Sequence, residues 1–227
     1  MDSSSILRPF LYGIPIFPLP KIVFFPHTTL PLHVFEERYR VLVEDALKQG
    51  LPIAMARLQE NREPNFDERR PPVHQVAGAG FIKEYRRLPD GRFLLELYGA
   101  GRVRLEEELP LERPYRRFRS SLVTETLENE SSAQEKVSML KNLLLGFGVK
   151  GADVARELLN EFGPDTPLSA VADVCAGATL ADADARQAFL EEVDVHRRLD
   201  SVTAHLTDLW ADILEASSDL RERQELN

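Results

Sequence analysis

The chain has 227 residues, of which 43% are hydrophobic and 29% charged, an ordinary globular composition with enough length for one large domain or two small ones. No apolar run approaches the roughly 18 residues of a membrane-spanning helix, and the N-terminus lacks the basic-then-apolar order of a secretory signal. Cys175 is the only cysteine, which excludes an intrachain disulfide and a cysteine-based metal cluster and points to the cytosol. The formal net charge of −9 is uneven: residues 1–120 carry 19 Lys/Arg against 16 Asp/Glu, and residues 121–227 carry 9 against 21. A sign change near the middle suggests a change of architecture there, and the acidic half disfavours nucleic acid.

The first half reads as β-structure. Ile14-Pro15-Ile16-Phe17 and Ile22-Val23-Phe24-Phe25 are short β-branched or aromatic runs, punctuated by Pro18, Pro20, Pro26 and Pro31. Proline is confined to sheet edges, ends and bulges, so short kinked strands are predicted, as in a small barrel. One helix interrupts them over 36–48, with apolar side chains at 39, 42, 43, 46 and 47 and Gly50 as its stop. A strand follows over 52–58, then a polar, proline-rich surface loop over 59–75 placed to gate a groove. Residues 76–88 and 92–98, joined by Pro89-Asp90-Gly91, predict a hairpin. Further strands are expected after Gly99-Ala100-Gly101 and over 115–126.

The second half reads as helices over 133–145, 152–161, 168–176 and 184–193, with a long last helix capped by Asp194. Its apolar residues fall at 202, 206, 209, 213, 216 and 220, a heptad seam led by Val202, Leu206, Leu209 and Ile213. Such a seam buries itself either on the chain's own helices or on a second copy, as a homodimer.

Two stretches carry a resemblance to a known family. Ile14-Pro15-Ile16-Phe17-Pro18-Leu19, Val23-Phe24-Phe25-Pro26 and Phe35-Glu36-Glu37-Arg38-Tyr39 resemble the opening of the Lon protease N-terminal domain, the stand-alone bacterial members in particular. Those members often have proline where this chain has Glu37, and either residue suits a first helical turn. Val76-Ala77-Gly78-Ala79-Gly80-Phe81-Ile82 is similar to the family's hairpin, and Tyr98-Gly99-Ala100-Gly101-Arg102 to its Gly-x-x-Arg strand. The resemblance implies an α+β fold: a PUA-like β-barrel with one inserted helix over 1–126, then a helical bundle ending in a long helix over 127–227. It also implies a non-catalytic module that recognises unfolded segments or a partner protein. The sequence has no GxxxxGK[ST] loop for ATP; no cofactor and no following protease domain are expected.

Rival chemistries find little support. His27, His33, His74, His196 and His205 have no metal-motif spacing, no HExxH or GxSxG occurs, and Cys175 reads as a small core residue. RNA binding on a PUA-like fold is the alternative, carried by Tyr115-Arg116-Arg117-Phe118-Arg119, where cations and rings alternate. On a strand that alternation splits them between two faces. Phe24 and Phe25 are the candidates for contact with polypeptide: adjacent on a strand they face opposite sides, leaving one partly exposed unless both are buried.

Overall fold

Among the described residues the first half forms six strands, β1 (Ile14–Leu19), β2 (Thr29–Val34), β3 (Ile53–Arg57), β4 (Val76–Arg87), β5 (Phe93–Glu108) and β6 (Arg117–Leu122). The computed structural model describes residues 3–59, 70–149 and 153–225. It divides into two units, one holding the chain up to Thr124 with Ala181–Val193, the other Glu125–Leu180 with Asp194 onward.

In the first unit the strands make one mixed sheet in the order β2-β5-β4-β3-β1-β6, with β5 also reaching β6. Among the described strands only β1 and β3 run parallel; the connection between them holds β2 and α1 (Glu37–Gln49). Apolar side chains of α1 recur at helical spacing, and Tyr39, Leu42, Val43 and Ala46 are buried against the sheet. Each large one contributes about 1.5–3 kcal/mol. Gly50 ends the helix in the left-handed region, φ 66°, its N–H donating to the Ala46 carbonyl. A second apolar cluster, including Leu7, Ile16 and Ala54, lies on the other side of β1 and β3. Leu7 comes from a 3-10 helix (Ser3–Phe10).

The sheet corrects the PUA-like β-barrel expected from the sequence: it is not a closed barrel. It starts at a margin, β2, whose register is with β5 alone among the described residues. The cause is the length of β5. Residues 93–98 lie beside β2, while residues 103–108 lie beside β6, so one long strand changes neighbours along its course. Register shifts between Ala79 and Gly80, between Ile82 and Glu84 and between Leu105 and Glu107 mark the bends. The strand expected after Gly101 is therefore the continuation of β5. The run 22–25 is not a strand at all but an irregular segment.

Glycine explains how that segment fits. A Cβ on Gly78 would fall 1.8 Å from the Phe24 carbonyl oxygen, and one on Gly99 would fall 2.2 Å from that of Phe25. The main chain of 24–25 thus lies directly on β4 and β5, at a distance only glycine permits. α5 (Ala183–Glu191), in the same unit, packs on this segment and is tied to the strands by polar side chains. Arg57 donates to the Ala183 carbonyl (2.8 Å) and to Asp184 (2.6 Å), Arg102 to the Leu190 carbonyl (3.0 Å), and Gln187 to the Val76 carbonyl (3.0 Å).

The second unit packs α2 (Glu130–Val149), α3 (Asp153–Glu161), α4 (Leu168–Thr179) and α6 (Val195–Glu225). Alanine and Cys175 let α4 sit centrally, with Ala170, Val171, Ala172 and Ala176 all buried. Within it Asp173 and Arg198 are fully buried and paired at 2.5 Å, and Arg198 also reaches Glu125 at 2.6 Å. As expected, Asp194 caps α6, accepting from the His196 N–H at 2.8 Å.

Candidate functional site

The margin strand β2 alternates exposed Thr29, Pro31 and His33 with partly buried Leu30 and Leu32. Leu30 and Leu32 pack towards α1, in the cluster that holds Leu42, Leu95 and Leu97. Pro31 brings no N–H to a ladder, a loss tolerated because β2 lies at the sheet margin. The register sets Pro31 beside Glu96 and His33 beside Leu94, and β4 continues the row with Glu84 and Arg86. Together with Leu32, Tyr85 and Leu95, these residues line an open groove of about 510 Å³. Tyr85 is 56% exposed, and Phe35, 62% exposed, meets the His33 ring edge-on at 6.0 Å.

The hairpin that bounds the groove is stiffened at its turn. Gly91 takes φ 82°, and the Asp90 carboxylate accepts from the Arg92 backbone N–H (3.1 Å) and Nε (2.6 Å). The backbone bond, then the guanidinium, hold the Asp90 carboxyl below its ordinary range. Lower on β4, Arg87 pairs with Glu44 of α1 at 3.0 Å. The groove therefore offers apolar walls, one exposed aromatic, mixed charge and an adjacent sheet margin. It holds no nucleophile–base pair, and among the described residues no group of three or more His, Cys, Asp or Glu is placed to hold a metal. Such a surface can receive an extended chain.

The residues singled out from sequence lie elsewhere. Phe24 and Phe25 are both buried, at 1% and 0% exposure, which corrects the expectation that one faces a ligand. Residues 22–25 are not a strand with one wet side. Here Phe24 enters the α1 cluster, while Phe25 meets Phe189 of α5 at 5.5 Å and lies under the Arg186 guanidinium at 4.9 Å.

The proposed nucleic-acid segment is taken up internally. Tyr115, Arg116 and Phe118 are buried. Each cation meets a carboxylate: Arg116 on Glu108 (2.8 Å), Arg117 on Glu112 (2.6 Å) and Arg119 on Glu107 (2.9 Å). Tyr115 donates to Asp45 at 2.7 Å, and burial followed by that carboxylate pushes its phenol well above the usual range. The structure does not gather these residues into a cationic, ring-bearing face.

Along the seam, Val202 and Leu206 are buried, whereas Leu209 and Ile213 remain 37% and 41% exposed. Cys175 is buried, its thiol pushed up to about 12 by desolvation and by Glu161. In unit 2, His196 bonds the Glu128 carbonyl, and His205 bonds that of Thr179 at 3.1 Å. The gating expected of the 59–75 loop falls mostly outside the described residues.

Sequence reasoning missed Pro31, Leu32, His33, Tyr85, Leu94 and Glu96 as groove residues. One available signal was Tyr85, a lone aromatic in the charged run Lys83-Glu84-Tyr85-Arg86-Arg87.

Residues 13–208 match the family described as the ATP-dependent protease La (LON) substrate-binding domain. The Lon protease of Dictyoglomus thermophilum is 30% identical over 86% of this chain and 24% of its own length. Lon protease 2 of Myxococcus xanthus is 26% identical over 91% of this chain and 25% of its own. The chain thus spans about a quarter of these relatives. Among solved structures, the N-terminal domain of a Mycobacterium avium complex Lon protease superposes with a TM-score of 0.64 at 18% identity, covering 86% of this chain and 98% of that one. A Lon N-terminal domain protein from Xanthomonas campestris gives 0.56 at 22% identity, over 85% and 97%. These two likenesses are ones of fold. The match over 13–208 establishes that this chain belongs to the Lon substrate-binding domain family.

Proposed function

We propose that the chain is a non-catalytic polypeptide-binding module that takes extended, apolar-rich segments along β2 and the adjoining groove. The observation that carries this reading is a groove of about 510 Å³ with leucine and tyrosine in its walls, set beside a strand whose register, among the described residues, is with β5 alone. An extended segment satisfies both features, because it can offer main-chain groups to the margin and alternate side chains to the groove. The family's own description, a substrate-binding domain, supports the same reading. The lone buried cysteine fits a reducing, cytosolic setting.

The test is fluorescence anisotropy with labelled peptides rich in leucine and phenylalanine, without nucleotide, against Gly/Ser controls. Apolar peptides should bind preferentially. Tyr85→Ala and Pro31→Asp, both at exposed positions, should each weaken binding at least about tenfold, or ~1.4 kcal/mol. Equal binding of apolar and control peptides, or wild-type affinity in both variants, would remove the groove from the function.

A second copy of the chain is also proposed as a partner, along the part of α6 that starts at Leu209. The half-exposed Leu209 and Ile213 stand four residues apart and continue the buried seam of Val202 and Leu206.

A further inference from the structure

A second concavity in unit 1, of about 350 Å³, is lined by Arg38, Arg70 and Arg116 together with Tyr39, Tyr115 and Leu111. We propose that this pocket reads the free α-carboxylate at the end of a bound polypeptide whose last side chain is apolar, an inference that rests on the polypeptide-binding reading above and names the feature recognised.

The charge balance carries the argument. Arg116 spends Nε and a terminal nitrogen on both oxygens of Glu108 (3.0 and 2.8 Å) and its remaining terminal nitrogen on the Pro71 carbonyl (2.7 Å). Arg70 Nε stands 3.9 Å from the same Glu108, outside hydrogen-bond range, with its side chain 42% exposed. One carboxylate therefore faces two guanidinium groups, which leaves a positive charge in surplus. Arg38 bonds Glu36 at 2.9 Å while its guanidinium lies over the Tyr39 ring at 4.5 Å. Among the described residues no acidic side chain lines the pocket.

The rest of the wall is apolar and rigid. Tyr39 stacks on Phe17 at 4.0 Å, Tyr115 is anchored through its hydroxyl to Asp45 at 2.7 Å, and Leu111 is 52% exposed at the pocket. Guanidinium groups pair with planar carboxylates through parallel N–H bonds. An apolar side chain attached to that carboxylate would lie against Leu111 and the rings. The volume is near the lower end of the ~300–1,000 Å³ typical of ligand pockets, so it admits a chain end and not a loop.

The experiment uses the full chain and an N-terminally fluorescein-labelled octapeptide ending in leucine, as free acid and as C-terminal amide. The acid should bind about tenfold more tightly than the amide, and Arg70→Gln should shrink that ratio below about threefold without changing amide binding. Equal affinity for acid and amide, with both weakened by Tyr85→Ala, would overturn the pocket assignment and leave the groove reading standing. Failure of both peptides to bind wild-type protein would overturn both.

Discussion

Gly78 shows how one absent atom places several side chains. With the Phe24 carbonyl oxygen 1.8 Å from where its Cβ would be, Gly78→Ala cannot be absorbed by rotating a side chain; backbone must move. That displaces Phe24 from the α1 cluster and strains the 22–26 segment pinned beneath α5. The expected cost is about 3–5 kcal/mol, the scale of a large core disruption. It should appear as a lower urea midpoint for the substituted chain, with Gly50→Ala as a milder control, because Gly50 has open space and only its positive φ to lose. Unchanged stability in Gly78→Ala would mean that the close approach is not a constraint. The same contact explains what sequence could and could not reveal. Gly78 and Gly80 stood out as a motif, but the chain lying on them was invisible, so Phe24 and Phe25 were assigned to a strand with a wet face.

Elements whose signal is local were legible. The stripe at 39, 42, 43 and 46 gives α1, Gly50 ends it, and Asp194 starts α6, all decided within a few residues. Elements defined by distant partners were not. Whether the strands close depends on where a sixteen-residue β5 changes neighbours, and no period-2 pattern encodes that. The groove was hidden for the same reason, since it joins residues from 31 to 96 through register. In unit 2 the buried ion pair is a distant partnership with a measurable consequence. Asp173 and Arg198, both 0% exposed, lie 25 residues apart, on α4 and α6. Asp173→Asn would leave the Arg198 charge buried with Glu125 as its remaining carboxylate, itself 32% exposed. Breaking a buried pair from one side costs about 3 kcal/mol or more. Chemical denaturation followed by far-UV circular dichroism should show that loss. Asp200→Asn, which removes the exposed Lys136–Asp200 pair at 2.5 Å, should cost under about 1 kcal/mol. Equal effects of the two substitutions would deny the buried pair its role.

At the scale of the whole molecule, the proposed pairing of two copies has a salt dependence that sets it apart from an ion-paired assembly. The net charge is −9, and the acidic excess belongs to residues 121–227, which include α6. Two copies meeting along α6 bring like charge together while burying leucine and isoleucine. Apolar burial is insensitive to screening, whereas repulsion between exposed charges weakens as the Debye length falls from about 10 Å at 0.1 M salt to about 3 Å at 1 M. Association should therefore strengthen with salt. With only Leu209 and Ile213 as half-exposed seam members among the described side chains, it should also be weak, with a dissociation constant of roughly 10–100 µM. Sedimentation equilibrium over that range should show a mass rising with concentration, more steeply at 0.5 M than at 0.05 M sodium chloride. Leu209→Glu with Ile213→Glu should hold the chain at its monomer mass of 25.7 kDa without lowering its thermal midpoint, because neither residue is buried within the unit. A wild-type mass fixed at 25.7 kDa across the range and at both salts would restrict the seam to its buried half, Val202 and Leu206, packed within a single chain.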